Sequence, residues 1–126
     1  MRAQKKYRKN EFDTDIGKVC LTNHAVVRLK QRVQLSTRSE RKSFIKKVFS
    51  HGIYNPHKKL PKTNEFIKLR TYLYHLYRRV TKKNAYSTII WYDDVVFIIS
   101  IEKVVITIIQ IPDEYKDLFF KLKGKT

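Results

Sequence analysis

Cysteine, glycine, proline and acidic residues are all scarce in this chain of 126 residues. The one cysteine, Cys20, excludes an internal disulfide and a cysteine-based zinc cluster, and it suits a reducing cytosol. Three glycines and three prolines argue against a disordered or linker-rich chain. The longest apolar run, near residues 95–111, is interrupted by polar residues such as Glu102 and Lys103, and the N-terminus is basic and polar. We therefore expect neither a membrane span nor a secretion signal.

Positive charge is the strongest functional signal, because 28 Lys and Arg stand against 11 Asp and Glu and give a net charge of +17. Self-repulsion at this level favours a polyanionic partner, and nucleic acid is the leading candidate because neutralised phosphates release counterions. The excess is uneven. Residues 1–83 hold 23 bases and 5 acids, a net +18, whereas residues 84–126 hold 5 bases and 6 acids, a net −1. We expect the first two thirds of the chain to carry the polyanion surface.

The apolar periodicity predicts an α+β fold, in which two to three N-terminal helices pack on a small antiparallel meander, with a short C-terminal helix. A basic N-terminal arm is predicted over residues 1–20, and a single domain over residues 21–126. The predicted helices span residues 23–35, 38–51, 64–80 and 113–122. The predicted strands span residues 86–92, 95–101 and 104–111, and a loop is predicted over residues 54–63.

Two local signals delimit the second predicted helix. Thr37 and Glu40 have the spacing of a capping box at its start. Gly52 stands where a glycine stop is expected at its end. These signals therefore predict both ends of this helix independently of its apolar pattern.

Two pairs of residues, Asp93-Asp94 and Glu102-Lys103, have the length of two-residue hairpin turns between the last three strands. Neither pair contains glycine, so slightly longer loops would also fit. The last two strands are apolar on both faces. We therefore expect helices on one face of the sheet and a partner or a tail on the other.

A row of polar side chains recurs at four-residue steps in the first predicted helix. At about 100° per residue, Ala25 and Leu29 share an apolar face, and His24, Arg28 and Arg32 lie on the opposite side. Two guanidinium groups beside an imidazole can hold a phosphate, and a histidine can move a proton near neutral pH. The alternative interpretation is the solvated side of an amphipathic helix.

Aromatic residues alternate with bases around His75 in the stretch YLYHLYRR, a pattern that suits stacking on unpaired bases. The alternative is ordinary packing of amphipathic tyrosines. His51 and His57 are interpreted as loop or cap residues. The further basic residues that we expect to contact nucleic acid are Lys5, Lys6, Arg8, Lys9, Arg38, Arg41, Lys42, Lys46, Lys47, Lys58, Lys59, Arg70, Arg78 and Arg79.

We expect no metal and no cofactor. The four histidines lack the spacing of metal ligands, and the chain has no glycine-rich phosphate loop, no nucleophile elbow and no paired acidic cluster. Nucleotide hydrolysis and two-metal nuclease chemistry therefore lack their parts. We expect nucleic acid as the partner, RNA more than DNA, and no membrane. An acidic protein partner or inhibitor and a homodimer stay open.

The stretch LTNHAVVRLKQRVQLSTRSERKSFIKKVFSHGI resembles the opening of a group of small phage- and mobile-element-type proteins. In that group an (S/T)xHAxxRxxxR helix precedes a second helix that ends in Gly-Ile. The later stretch YDDVVFIISIEKVVITIIQIP resembles the group's closing pair of strands. The departures are Ile106 in place of a leucine and strand turns without glycine. The group is itself similar to the RelE and colicin-type endoribonuclease toxin fold.

This resemblance implies a RelE-like domain over residues 21–126 in the cytoplasm of a bacterial or phage-infected cell, and a metal-independent endoribonuclease activity. In such enzymes the ribose 2′-hydroxyl attacks its own phosphate, while a base removes the proton and cations stabilise the developing charge. The positions that match by motif are His24, Arg28, Arg32 and Thr107. The fold alone does not decide whether the chain cleaves RNA.

Two binding-only interpretations stay open beside the nuclease. In the first, the chain is a phage-encoded, anti-CRISPR-like inhibitor that occupies a nucleic-acid site of a host defence complex. In the second, it is a structural nucleoprotein component held by the basic arm. The same basic surface serves all three functions, and only the nuclease requires proton transfer.

Overall fold

The architecture is α+β in three layers, with a mixed sheet between two layers of helices. The computed structural model describes residues 10–33 and 37–124. Its strands are β1 (Glu11–Thr14), β2 (Gly17–Leu21), β3 (Ile53–Tyr54), β4 (Thr88–Tyr92), β5 (Val95–Ile99) and β6 (Val104–Gln110). Its helices are α1 (Asn23–Val33), α2 (Arg38–His51), α3 (Pro56–Lys59), α4 (Asn64–Lys83) and α5 (Leu118–Gly124), and a 3₁₀ turn lies at Asp113–Tyr115.

Among the described residues the sheet has six strands, in the order β1-β2-β6-β5-β4-β3. Neighbouring strands are antiparallel except β2 and β6, which run in parallel with Cys20 opposite Val104. The meander β4-β5-β6 confirms the three predicted strands with slightly shorter bounds. The parallel pair is the departure from the predicted antiparallel sheet, and it joins the start of the chain to its last strand.

Alternation along β5 divides the apolar side chains between two cores. Val95, Phe97 and Ile99 lie in one core with residues of α1 and α2. Val96 and Ile98 lie in the other core with residues of α4 and α5. The chain thus covers both faces with its own helices, including the face assigned above to a partner or a tail. Every residue of β5 is therefore buried, which explains its continuous apolar run.

Both predicted ends of α2 are confirmed. The Thr37 side chain accepts a hydrogen bond from the Glu40 N–H at 3.1 Å, and the Glu40 carboxylate accepts one from the Thr37 N–H at 3.1 Å. Gly52 ends the helix without adopting the left-handed conformation, since its φ is −68°. A Cβ at this position would collide with the Val48 carbonyl oxygen and lie 2.6 Å from Ile90 Cγ2. Glycine is thus required for close packing.

The segment predicted as a loop over residues 54–63 contains the end of β3 and the short helix α3. Pro56 opens α3, a position at which proline costs no hydrogen bond because the N–H would have no helical partner. The predicted helix 64–80 continues three residues further to Lys83. The predicted terminal helix 113–122 divides into the 3₁₀ turn and α5.

The Asp93-Asp94 turn is confirmed, because Tyr92 and Val95 pair directly across it. Asp93 adopts a φ of 54°, the left-handed region that tight hairpin turns require. Its carbonyl oxygen accepts a hydrogen bond of 2.8 Å from the Trp91 indole N–H. The turn is therefore fixed by a core side chain and has no need of glycine.

The turn between β5 and β6 is longer than the predicted Glu102-Lys103 pair. The chain turns over residues 100–103, where the Lys103 N–H donates to the Ser100 carbonyl oxygen at 3.0 Å. The Lys103 ammonium group donates to the Ile16 carbonyl oxygen at 2.8 Å. This contact ties the loop to the β1–β2 hairpin, and local turn signals do not encode such a long-range contact.

Residues 10–20, assigned above to a basic arm, belong instead to the folded domain. β1 and β2 form a hairpin whose Phe12 and Val19 side chains are buried in the core under α1 and α2. The Arg38 guanidinium of α2 lies 4.8 Å from the centroid of the Phe12 ring and holds the hairpin from outside. Residues 1–9, which carry the predicted arm cations, lie outside the described residues.

Candidate nucleic-acid interface

Helix α4 divides its residues between core and solvent by helical phasing. Its buried residues recur at three- and four-residue steps and pack on the sheet: Phe66, Leu69, Leu73 and Leu76. The 20 residues of α4 form a rod of about 30 Å. The opposite side of the helix is therefore a long and continuous surface, called the α4 face below.

The α4 face is basic. Its exposed cations are Lys68, Arg78, Arg79, Lys82 and Lys83, and Arg70 is half-buried beside them. Apart from Arg78, the exposed cations make no hydrogen bond or ion pair with residues that the structure describes. Cations held close together without counter-charges attract polyanions.

A carboxylate in the middle of this surface would repel phosphates, and α4 carries only Glu65, in its first turn. That carboxylate forms an ion pair with Lys121 of α5. Glu65 is also favourably placed at the positive end of the helix dipole. The single carboxylate of α4 therefore lies at the start of the helix and is paired with a lysine, so it does not offset the positive charge of the rest of the α4 face.

Aromatic side chains lie among these cations. Tyr74 is 44% exposed, and its hydroxyl oxygen accepts a hydrogen bond of 3.0 Å from Arg78 Nη1. The Arg78 guanidinium carbon is 5.9 Å from the Tyr74 ring centroid. His75, also exposed, meets the Tyr74 ring edge-on at 5.7 Å. Tyr74, His75 and Arg78 therefore share one surface, and an exposed ring beside a guanidinium suits base stacking. Tyr72 and Tyr77 are half-buried against the core, as the alternative interpretation expects.

Two open depressions lie along α4. One depression of about 480 Å³ is lined by Arg78, Arg79, Thr81 and Lys82. A second of about 360 Å³ is lined by Ile67, Lys68, Thr71, Tyr72, His75 and Tyr115. Both depressions combine apolar surface with cations. A nucleotide has the complementary parts, because its base can stack on apolar surface and its phosphate can pair with a cation.

The row of His24, Arg28 and Arg32 lies on α1, in the opposite outer layer. His24 is exposed, and its Nε2 accepts a hydrogen bond from Arg28 Nε at 3.4 Å. Arg28 also donates to Gln31 Oε1 at 3.3 Å. These two contacts hold the imidazole, a guanidinium and an amide together on one side of α1. The predicted polar side of α1 is confirmed, and the catalytic roles stay predictions.

Thr107 does not join this row. It pairs with Ile98, which lies in the core under α4, so its side chain points away from α1. The register shift between Ile98 and Ile99 lets β6 present Val105 to α1 and then turn Thr107 to the other face. A catalytic group made of Thr107 and His24 is therefore excluded by the fold.

The predicted cations of α2 share the layer of α1. Lys42, Lys46 and Lys47 are exposed and Arg41 is half-buried. Arg38 donates to the Glu11 carbonyl oxygen at 3.2 Å as well as covering Phe12, so it has a structural role. Both outer layers thus carry exposed basic residues, and the residues expected to form a single polyanion surface are divided between them. Lys5, Lys6, Arg8 and Lys9 lie outside the described residues.

His57, interpreted from sequence as a loop residue, is only 5% exposed. It lies on α3 between the exposed Lys58 and Lys59 and the rings of α4. Its burial depresses its pKa below the usual histidine range, and the charges of Lys58 and Arg70 add to the effect. Pro56 could have revealed α3 as a helix, but nothing in the sequence indicates that this histidine is buried.

Among the described residues, no group of three His, Cys, Asp or Glu could hold a metal ion. No helix in that part of the chain is both long enough and apolar enough to cross a membrane. Comparison of the chain with family models, curated proteins and solved structures finds no match to any of them.

Proposed function

We propose that this protein binds single-stranded nucleic acid, RNA in preference to DNA, along the α4 face. The observation that carries this proposal is the placement of the Arg78 guanidinium beside the exposed Tyr74 ring, on a helix whose other exposed cations have no counter-charge among the described residues. Cations bind the phosphates without regard to sequence, and the ring offers a platform for an unpaired base. The net charge of +17 gives the long-range attraction that brings such a strand to the surface.

A preference for single strands follows from the aromatic component. Bases inside a duplex are stacked on one another and are not available to a tyrosine, whereas loops and ends of RNA present unstacked bases. A surface of cations alone would bind duplex DNA equally well. Replacement of Tyr74 should therefore weaken binding of single strands and leave binding of duplex DNA almost unchanged.

The test is fluorescence anisotropy with a labelled single-stranded RNA and a duplex DNA of equal length. The double variant Arg78→Glu/Arg79→Glu should weaken RNA binding at least tenfold. The control is Lys46→Glu/Lys47→Glu, which changes the net charge by the same amount on the opposite layer and should have a much smaller effect. Equal losses in the two variants would mean that overall charge, and not the α4 face, determines binding.

The second candidate function is metal-independent RNA cleavage at the row of His24, Arg28 and Arg32. The contact of Arg28 Nε with His24 Nε2 at 3.4 Å supports it, because it holds a cation that can bind a phosphate beside an imidazole that can move a proton. Incubation of labelled RNA with the protein in EDTA should give cleavage products that disappear in His24→Ala. His51→Ala, which replaces another exposed histidine, is the control. Cleavage at the wild-type rate by His24→Ala would exclude this assignment.

A further inference from the structure

A small pocket lies where α3 packs on α4. It has a volume of about 310 Å³ and is lined by His57, Arg70, Thr71 and Tyr74. His57 forms the wall on the α3 side, and the other three belong to consecutive turns of α4. The pocket thus opens onto the α4 face at the position of its exposed aromatic ring.

Two polar groups in this pocket are buried without partners. Neither His57 ring nitrogen makes a hydrogen bond within the part of the chain that the structure describes, and Arg70 Nε is in the same state. A buried polar group left unpaired destabilises a fold, because it has lost its hydrogen bonds to water. A ligand that accepts hydrogen bonds would satisfy the Arg70 Nε–H and an imidazole N–H of His57 in the same pocket.

The charge of the pocket defines the ligand further. The charged groups that face His57 are Lys58 on its own helix and Arg70 on α4, and the remaining titratable neighbours are the phenols of Tyr74 and Tyr77. No carboxylate lines the pocket. An anion with several acceptor oxygens would satisfy the unpaired Arg70 Nε–H and one imidazole N–H together.

We propose that the pocket binds the phosphate monoester of a nucleotide, with Arg70 and His57 as hydrogen-bond donors and the Tyr74 ring as the platform for the attached base. The Thr71 hydroxyl already donates to the Ile67 carbonyl oxygen at 2.9 Å, so it can only accept and does not compete for the phosphate. This inference names a subsite of the α4 face and so rests on the proposed function. The monoester belongs either to a strand end or to a free nucleotide.

Binding is measured by calorimetry with adenosine 5′-monophosphate, and adenosine is the ligand that lacks the phosphate. We expect the monophosphate to bind and adenosine to bind at least tenfold more weakly. Arg70→Gln and His57→Gln should each reduce monophosphate affinity at least tenfold, and Lys30→Gln, a charge-matched control at an exposed lysine of α1 in the opposite layer, should not. Equal binding of both ligands, or normal affinity in both pocket variants, would overturn the proposal.

The source of the phosphate is tested with one oligonucleotide prepared with and without a 5′-phosphate. Tighter binding of the phosphorylated strand, lost in Arg70→Gln, assigns the pocket to strand ends. Monophosphate binding without that gain assigns it to free nucleotides.

If RNA binds equally to wild type and Arg70→Gln and the monophosphate does not bind, the pocket proposal fails alone. If the monophosphate binds and RNA does not, the proposed function fails and the pocket stands. Near-UV circular dichroism shows whether each variant is folded. If His57→Gln is unfolded, the monophosphate affinity of Arg70→Gln alone tests the pocket proposal.

Discussion

The imidazole of His57 stacks on the ring of Tyr77, with 4.2 Å between centroids and 28° between planes. The contact joins α3 to α4 and buries a titratable group beside two cations, Lys58 and Arg70. Both the loss of water and the neighbouring positive charges disfavour the imidazolium form. The histidine is thus held neutral by the packing that forms the pocket wall, and this has a measurable effect on stability.

The free energy of unfolding should fall as the pH is lowered through the ordinary histidine value of 6.5. The folded-state pKa of His57 lies below that value, so the unfolded chain takes up the proton first and acid favours unfolding. Denaturant unfolding from about pH 7.5 to about pH 5 should show a smaller fall in His57→Gln than in wild type. His51→Gln, a change at an exposed histidine, should follow the wild type. An identical fall in all three proteins would mean that the burial of His57 has no effect on stability.

Gly52 should not tolerate a side chain. Its φ of −68° suits any residue, but a methyl group would meet the Val48 carbonyl oxygen and the Ile90 side chain. Gly52→Ala should therefore lower the free energy of unfolding by about 1–3 kcal/mol, the usual effect of overpacking a core. Gly124→Ala is the matched control, because a Cβ there meets nothing within 4 Å. Thermal denaturation that shows the same midpoint for both variants would contradict the close packing described.

The capping box at the start of α2 should contribute measurably to stability. Thr37→Ala removes the acceptor for the Glu40 N–H and should lower the free energy of unfolding by about 1 kcal/mol. Ser39→Ala changes another exposed residue of the same turn, and it should have little effect because α2 has its N-cap at Thr37. Urea denaturation at one pH measures the free energy of unfolding of both variants. A larger loss in Thr37→Ala than in Ser39→Ala indicates a cap, and equal losses would indicate only a difference in helix propensity between alanine and the hydroxyl residues.

The regular helices and the meander could be predicted because their apolar residues follow the periods of 3.6 and 2. The β1–β2 hairpin could not. Its strands carry Glu11, Asp13 and Lys18 on the solvent side, so the sequence of this short segment predicts a charged tail and not a hairpin. The hairpin depends on pairing with β6 and on Arg38 covering Phe12, contacts with residues distant in sequence. Neither the pairing with β6 nor the contact with Arg38 can be inferred from the sequence of the hairpin alone.

The sequence predicts that the candidate interface is basic, but it does not predict on which side of the sheet the interface lies. The bases around His75 were identified from the alternation of aromatics and cations, and they lie together on α4. Their separation from His24 by the sheet depends on which face each helix covers, and the periodicity of a single helix does not contain that information. His57 shows the same limit, since its burial comes from the ring of Tyr77, twenty residues away in the sequence.

The salt dependence of RNA affinity tests the central claim most directly. Cations of the α4 face that bind phosphates must release counterions, so the logarithm of Kd for a single-stranded RNA should rise linearly with the logarithm of salt concentration. Arg78→Ala/Arg79→Ala should reduce the slope by about 1.4, roughly 0.7 for each phosphate contact removed from a single strand, and Lys46→Ala/Lys47→Ala should reduce it by much less. A slope near zero in the wild type, or equal slopes in the two variants, would contradict the account.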